Sequence, residues 1–250
     1  MIQTEILVKS TLDGTLQPSL YYPASTKGRP LLVGLHTWSN DRTNQIRNLV
    51  PVAERNDFNL LLPEVRGPNL TTNPKCTEAC GSQLAMQDIK DAIDYLIEKE
   101  GVDKDNVFII GASGGGHMAM MMAGFIPEYF RAVAACVPIT DLDKWQEYSN
   151  SYRPHVLACC SNSKEEMAKR SPYTYMENIA KSNIKILHGK VDNVVPYRQS
   201  LDFYLECLEK YPDARVFYEI FDGGHEMNLK SIELWLLSQY KEKQTVEVTG

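Results

Sequence analysis

The chain has 250 residues, 43% of them hydrophobic, enough for one substantial core and unlike the composition of a disordered or fibrous protein. Its net charge of -6, with lysines and arginines scattered, argues against nucleic acid or an anionic membrane as partner and leaves a small molecule as the expected one. No apolar run approaches membrane-spanning length, and the N-terminal MIQTEILVKSTLDG lacks a basic segment followed by a hydrophobic one. A cytoplasmic protein is therefore expected, with a trimmed, secreted form left open.

Along the chain, short apolar runs alternate with helical patterns. EILVKS and LQPSLYYP read as opening antiparallel strands, and RPLLVGLH and FNLLLPEV as buried ones. SQLAMQDIKDAIDYLIEKEG returns Leu84, Ile89, Ala92, Ile93 and Leu96 at helical spacing and stops at Gly101. NVFIIGAS, FRAVAACVP, NIKILHG and ARVFYEIF read as further buried strands. Helices are expected after Ser113, over about 197 to 210, and through EMNLKSIELWLLSQY. The alternation predicts an α/β fold, a mostly parallel central sheet with helices on both faces, in a single domain over residues 1–250. The span from about 140 to 176 breaks the rhythm and is long for a loop, so it is read as a short cap insertion.

Six cysteines are too sparse for a disulfide scaffold, and Cys136 and Cys207 lie in core-strand and helix patterns. Cys76 and Cys80, and the neighbours Cys159 and Cys160, lack a matching second half for a zinc site. No metal is expected there, and free thiols and a local disulfide both stay open.

VFIIGASGGGHMAMMMAG carries the strongest chemical signal. A strand runs into Gly111-Ala112-Ser113-Gly114-Gly115 and then into a helix, the G-x-S-x-G turn that lifts a serine above a sheet edge. Small residues two before and two after Ser113 let strand and helix pack around a strained nucleophile, and the Gly114 N–H at the helix start can hold a developing negative charge. A dinucleotide loop would instead show G-x-G-x-x-G near the first strand.

A serine hydroxyl needs a base and a group to orient that base. Asp192 follows the strand in KILHGKVDNVVP, and His225 follows the strand in VFYEIFDGGHEMN. The order Ser, Asp, His is that of one class of serine hydrolases and of neither major protease class with the same triad. Asp222 and Glu226 stand too close to His225 in sequence to reach around its ring easily. His188, at a strand end, is read as a structural hydrogen-bonder, His117 lies along the first turn of the helix after Ser113, and His155 lies in the cap.

The chain resembles the α/β-hydrolase superfamily, and within it the prolyl oligopeptidase-like and dienelactone hydrolase-like esterase branch. LLVGLH, GASGGGHMA, RAVAACVPITDLDKW, SPYTYMENIAKSNIKILHGKVDNVVPYRQSLDFYLECLEK and DGGHE carry the resemblance over nearly the whole length. It implies an α/β-hydrolase fold with Ser113 as nucleophile, His225 as base and Asp192 as acid. It also implies an oxyanion hole from the N–H groups of Gly114 and Trp38, although His36-Thr37-Trp38 carries threonine where the family usually has glycine. The TDLDKW segment resembles the part that lines the pocket, which makes Trp145, Tyr148 and Tyr152 candidate substrate contacts, with Tyr173 also in the cap.

A large N-terminal domain of the kind that restricts substrates in the oligopeptidases is not expected. The resulting expectation is a carboxylic-ester hydrolase of small or medium acyl esters, with acetylated or feruloylated carbohydrates as candidate substrates, no cofactor, and self-association left open. A peptidase of the prolyl oligopeptidase or acyl-peptide hydrolase type, and a non-catalytic binding module on the same fold, are the alternatives.

Overall fold

A computed structural model describes residues 1–240. Its strands are β1 (Thr4–Lys9), β2 (Leu16–Tyr22), β3 (Leu31–Leu35), β4 (Asn59–Pro63), β5 (Val107–Ala112), β6 (Ala132–Cys136), β7 (Ile184–Gly189) and β8 (Val216–Phe221). They form one sheet in the order β1-β2-β4-β3-β5-β6-β7-β8. Pairing is antiparallel from β1 to β2 and from β2 to β4, and parallel through the rest. This is the mostly parallel sheet anticipated from the alternating pattern, in the α/β-hydrolase arrangement that the resemblance implied.

The pleat explains why a central strand such as β3 is apolar on both faces. In β3, Leu31, Val33 and Leu35 enter one core while Leu32 enters the other. The first core is covered by α2 (Gln83–Tyr95), α3 (Gly114–Phe125), α7 (Met176–Lys181) and α8 (Arg198–Lys210), through Ile89, Met121, Ile179 and Phe203 among others. The second is covered by α1 (Ile46–Asn56) and α9 (Leu229–Gln239), through Leu49 and Leu236.

The span read as an insertion holds α4 (Leu142–Tyr148), α5 (Arg153–Cys159) and α6 (Lys164–Lys169). Asp141 and Ser163 cap α4 and α6 by accepting from Lys144 N and Glu166 N, which fixes where these short helices begin. A third apolar cluster joins them to the loops after β3, β6 and β7 through Trp38, Ile139, Trp145 and Val195. These helices therefore stand over the carboxyl ends of the parallel strands, where ligands of open α/β sheets gather. No helix among the described residues is long and apolar enough to cross a membrane.

Candidate active site

The chain after β5 turns at Ser113 with φ 56° and ψ -121°, a left-handed backbone that a side-chain-bearing residue adopts only under constraint. Two hydrogen bonds hold it there. Ser113 N–H donates to Cys136 O at 2.9 Å, and His117 N–H donates to Ser113 O at 2.8 Å to start α3. The flanking glycines are a steric requirement, because a Cβ on Gly111 would lie 2.2 Å from Gly115 O.

β7 and β8 deliver the other two groups. His225 Nδ1 lies 2.8 Å from Asp192 Oδ2, and His225 Nε2 lies 2.9 Å from Ser113 Oγ. A carboxylate can only accept, so Nδ1 carries the proton and Nε2 is free to accept from the serine hydroxyl. The Asp192 side chain has no exposed surface. Burial alone would raise its pKa, but hydrogen bonds from His188, His225 and the N–H groups of Val195 and Val194 hold the carboxyl well below the usual carboxylate range. Val194 and Val195 donate to Oδ1 at 2.8 and 2.9 Å, while His188 Nε2 approaches Oδ2 at 3.3 Å. Asp222, by contrast, is exposed and paired with Lys190 at 2.8 Å, and Glu226 turns back on Gly224 N.

β3 ends in the turn that brings Trp38 to the same place. The His36 ring lies 2.9 Å from Thr37 O and 2.7 Å from Glu64 O, and Asn69 N–H donates to Trp38 O at 2.8 Å. These contacts orient the Trp38 peptide so tightly that a Cβ on Gly114 would lie 2.6 Å from Trp38 N. Neither N–H has a hydrogen-bond partner among the described residues. Two adjacent donors beside Ser113 Oγ are what a tetrahedral oxyanion requires. They sit between β3 and β5, the strands at which the connections change direction.

The three aromatic candidates divide. Trp145 has no exposed surface: its Nε1 donates to Val194 O at 3.1 Å, and its ring meets Trp38 edge-on at 5.0 Å. The expectation that Trp145 contacts substrate is therefore corrected, since its ring bolts the cap to the loop carrying Asp192. Tyr152 is partly buried and stacks on Trp145 at 5.0 Å. Tyr148 is exposed and lines a cleft of about 150 Å³ with Tyr173, Lys144 and Arg198, a cleft whose lining includes neither Ser113 nor His225.

His188, expected as a structural hydrogen-bonder, is one, but its approach to Asp192 was not expected, since it depends on the turn Gly189–Val195 folding back. Its Nε2 also lies 2.9 Å from Val195 O, which makes Nε2 the donor and leaves Nδ1 to accept from Ser200 Oγ at 2.7 Å.

Residues 79–231, well over half of the chain, match the prolyl oligopeptidase family. The mouse acylamino-acid-releasing enzyme is 30% identical over 139 residues, which span 48% of this chain and 18% of that one. The chain thus spans about a fifth of the length of this curated relative. Among solved structures, the Pyrococcus horikoshii acylaminoacyl peptidase superposes with a TM-score of 0.75 at 19% identity, covering 98% of this chain and 43% of that one. The Staphylococcus aureus S-formylglutathione hydrolase superposes with a TM-score of 0.70 at 17% identity, covering 94% and 96%. At these identities the two structures speak to the fold alone.

Proposed function

The chain is a serine hydrolase belonging to the prolyl oligopeptidase family, and from that premise we propose that it hydrolyses carboxylic esters of small or medium acyl groups. The observation that carries the reading is the hydrogen-bonded line from Asp192 through His225 to Ser113, ending beside the Gly114 and Trp38 N–H pair.

In the proposed reaction, Ser113 Oγ attacks the acyl carbon as its proton passes to His225 Nε2, and buried Asp192 stabilises the imidazolium that forms. The carbonyl oxygen, now negative, is held by the Gly114 and Trp38 N–H groups. Collapse returns the proton to the leaving alcohol, and water repeats the two steps to free the acid and regenerate Ser113.

Beside the oxyanion position, Trp38, Trp145 and Tyr152 fill the space with packed rings. That wall leaves little depth for a long acyl chain and supports short acids. Acetylated carbohydrates suit this size class, whereas the extended aromatic feruloyl group needs more depth than that wall leaves.

A second reading, cleavage of an acylated amino acid from a peptide, draws support from the relatives named as acylamino-acid-releasing enzymes. A panel of p-nitrophenyl esters of increasing chain length, acetylated xylan and N-acetyl-alanine anilide separates the two. Ester turnover falling with chain length and negligible anilide cleavage are expected. Preferential anilide cleavage overturns the esterase reading. A fluorophosphonate should label the native protein and leave Ser113→Ala untouched, and equal labelling of both removes Ser113 as nucleophile.

A further inference from the structure

Two segments far apart in sequence bring four buried thiols into one apolar cluster: Cys76 and Cys80 precede α2, and Cys159 and Cys160 end α5. Cys80 adopts φ 42° and is followed by Gly81 at φ 66°. A side-chain-bearing residue kept in the left-handed region is held there by its surroundings. Here Asn69 Oδ1 accepts from Cys80 N–H at 2.8 Å, and the Cys80 thiol comes within hydrogen-bonding reach of both Cys159 and Cys160. Cys76 comes within hydrogen-bonding reach of Cys159 in the same apolar cluster. The four side chains do not make a metal-ligating set among the described residues.

We propose that this cluster is a modification site that closes into two disulfides, Cys76–Cys159 and Cys80–Cys160, stapling the loop before α2 to the cap behind Trp38. Of the two ways to join all four thiols between the segments, this one pairs thiols that lie within hydrogen-bonding reach of each other. The oxidant is a small-molecule disulfide such as oxidised glutathione. Cys76 is the entry point, being 9% exposed where the other three have no exposed surface.

Its thiolate attacks one glutathione sulfur, forming a mixed disulfide and releasing one glutathione. Cys159 then attacks the Cys76 sulfur and releases the second. Two protein thiols give up two electrons and two protons, which leave as two glutathione thiols. In the reduced cluster the hydrogen bond from Cys80, then that from Cys76 and the Arg170 charge, hold the Cys159 thiol below its ordinary pKa despite burial. The bond from Cys80, the largest of these, and the Arg170 charge remain once Cys76 is in the mixed disulfide, which suits Cys159 to the attacking role. The first bond then moves inward by exchange. Cys80 attacks Cys159 and frees Cys76, Cys160 attacks Cys80 and frees Cys159, and a second glutathione disulfide closes Cys76–Cys159.

Mass mapping of the native protein after incubation with oxidised glutathione, alkylation in denaturant and trypsin digestion tests this. The expected result is residues 76–90 joined to residues 145–164, with Cys136 and Cys207 alkylated. Oxidation should also raise Tm by several degrees, reversibly with dithiothreitol. Alkylation of all six cysteines, a bond within either peptide alone, or a tightly held zinc ion that blocks oxidation overturns the proposal. The pairing has its own control: Cys80→Ser/Cys160→Ser, which keeps the entry thiol Cys76 and its partner Cys159, should still cross-link, and Cys80→Ser/Cys159→Ser should not. A cross-link forming equally fast in the second variant overturns the assigned pairs.

Discussion

His188 and His225 approach the same oxygen of Asp192, at 3.3 and 2.8 Å. The buried carboxylate is thus held from two sides, and only one of its partners faces Ser113. His188→Phe removes a hydrogen bond to the charged form while keeping a ring in place. A fall of about 10- to 100-fold in kcat is expected, corresponding to one charge-assisted hydrogen bond, with KM little changed. An unaltered kcat in a variant that melts like the native protein would make His188 a packing residue only.

Replacing Asp192 by Asn keeps the shape but lets the His225 ring adopt the wrong tautomer. Turnover of p-nitrophenyl acetate should fall about 10⁴-fold. Asp222→Asn, at an exposed residue paired with Lys190, should cost less than about twofold. The reverse ranking would move the acid to Asp222.

Gly114→Ala places a methyl 2.6 Å from Trp38 N and 2.7 Å from Trp38 Cα, both backbone atoms with no rotamer to yield. The donor pair must separate. A loss of about 10² to 10³ in kcat, with circular dichroism unchanged, is expected from displacing one oxyanion donor. Full activity would place the oxyanion elsewhere.

Trp145→Ala opens a cavity in the cap core and frees Val194 O, next to the N–H that orients Asp192. The expected cost is about 3–5 kcal/mol of stability, read as a lower Tm. Relative kcat/KM across short, aromatic and sugar esters should stay constant. A native Tm with a raised KM for aromatic or sugar esters alone would return Trp145 to the substrate pocket.

Burial pushes His117 down to about 4, its hydrogen bond to Arg170 O notwithstanding, and its Nδ1 has no partner among the described residues. In the unfolded chain a histidine titrates near about 6.5. Between these values the unfolded state binds a proton that the native state refuses, so stability falls as pH drops from about 6.5 to about 4 and then levels. The full span is worth about 3 kcal/mol. Asp192, held below the carboxylate range, adds its own loss only at more acid pH. Urea melts across this window should show a shallower pH slope for His117→Gln. Equal slopes would mean that His117 is not the group responsible.

Much of this arrangement was legible in the sequence because the parallel strands are apolar on both faces and the residues after β5, β7 and β8 are few and chemically distinct. Ser113, Asp192 and His225 each lie just past such a run. α1 was not visible: Pro51 sits inside it, and DRTNQIRN, which leads into its first turn, reads as a polar loop. Trp145 was misread because an aromatic among polar neighbours in a short helix fits an inner or an outer face equally well, and only the meeting with Trp38 decides. The convergence of Cys76, Cys80, Cys159 and Cys160 is a tertiary fact with no local periodicity to announce it.

Trp38, Ser113, Asp192 and His225 follow four different strands, β3, β5, β7 and β8, all at their carboxyl ends. The opposite ends lie a strand length away, roughly 20 Å for six residues. There Asn106, Arg131, Asn183 and Arg215 open a cleft of about 580 Å³ that touches none of the four. The molecule thus separates what must be held to a fraction of an ångström from what can drift. A change in loop length at the amino ends would act a strand length away from the reacting groups, whereas a single register slip between any two of those strands would dismantle them.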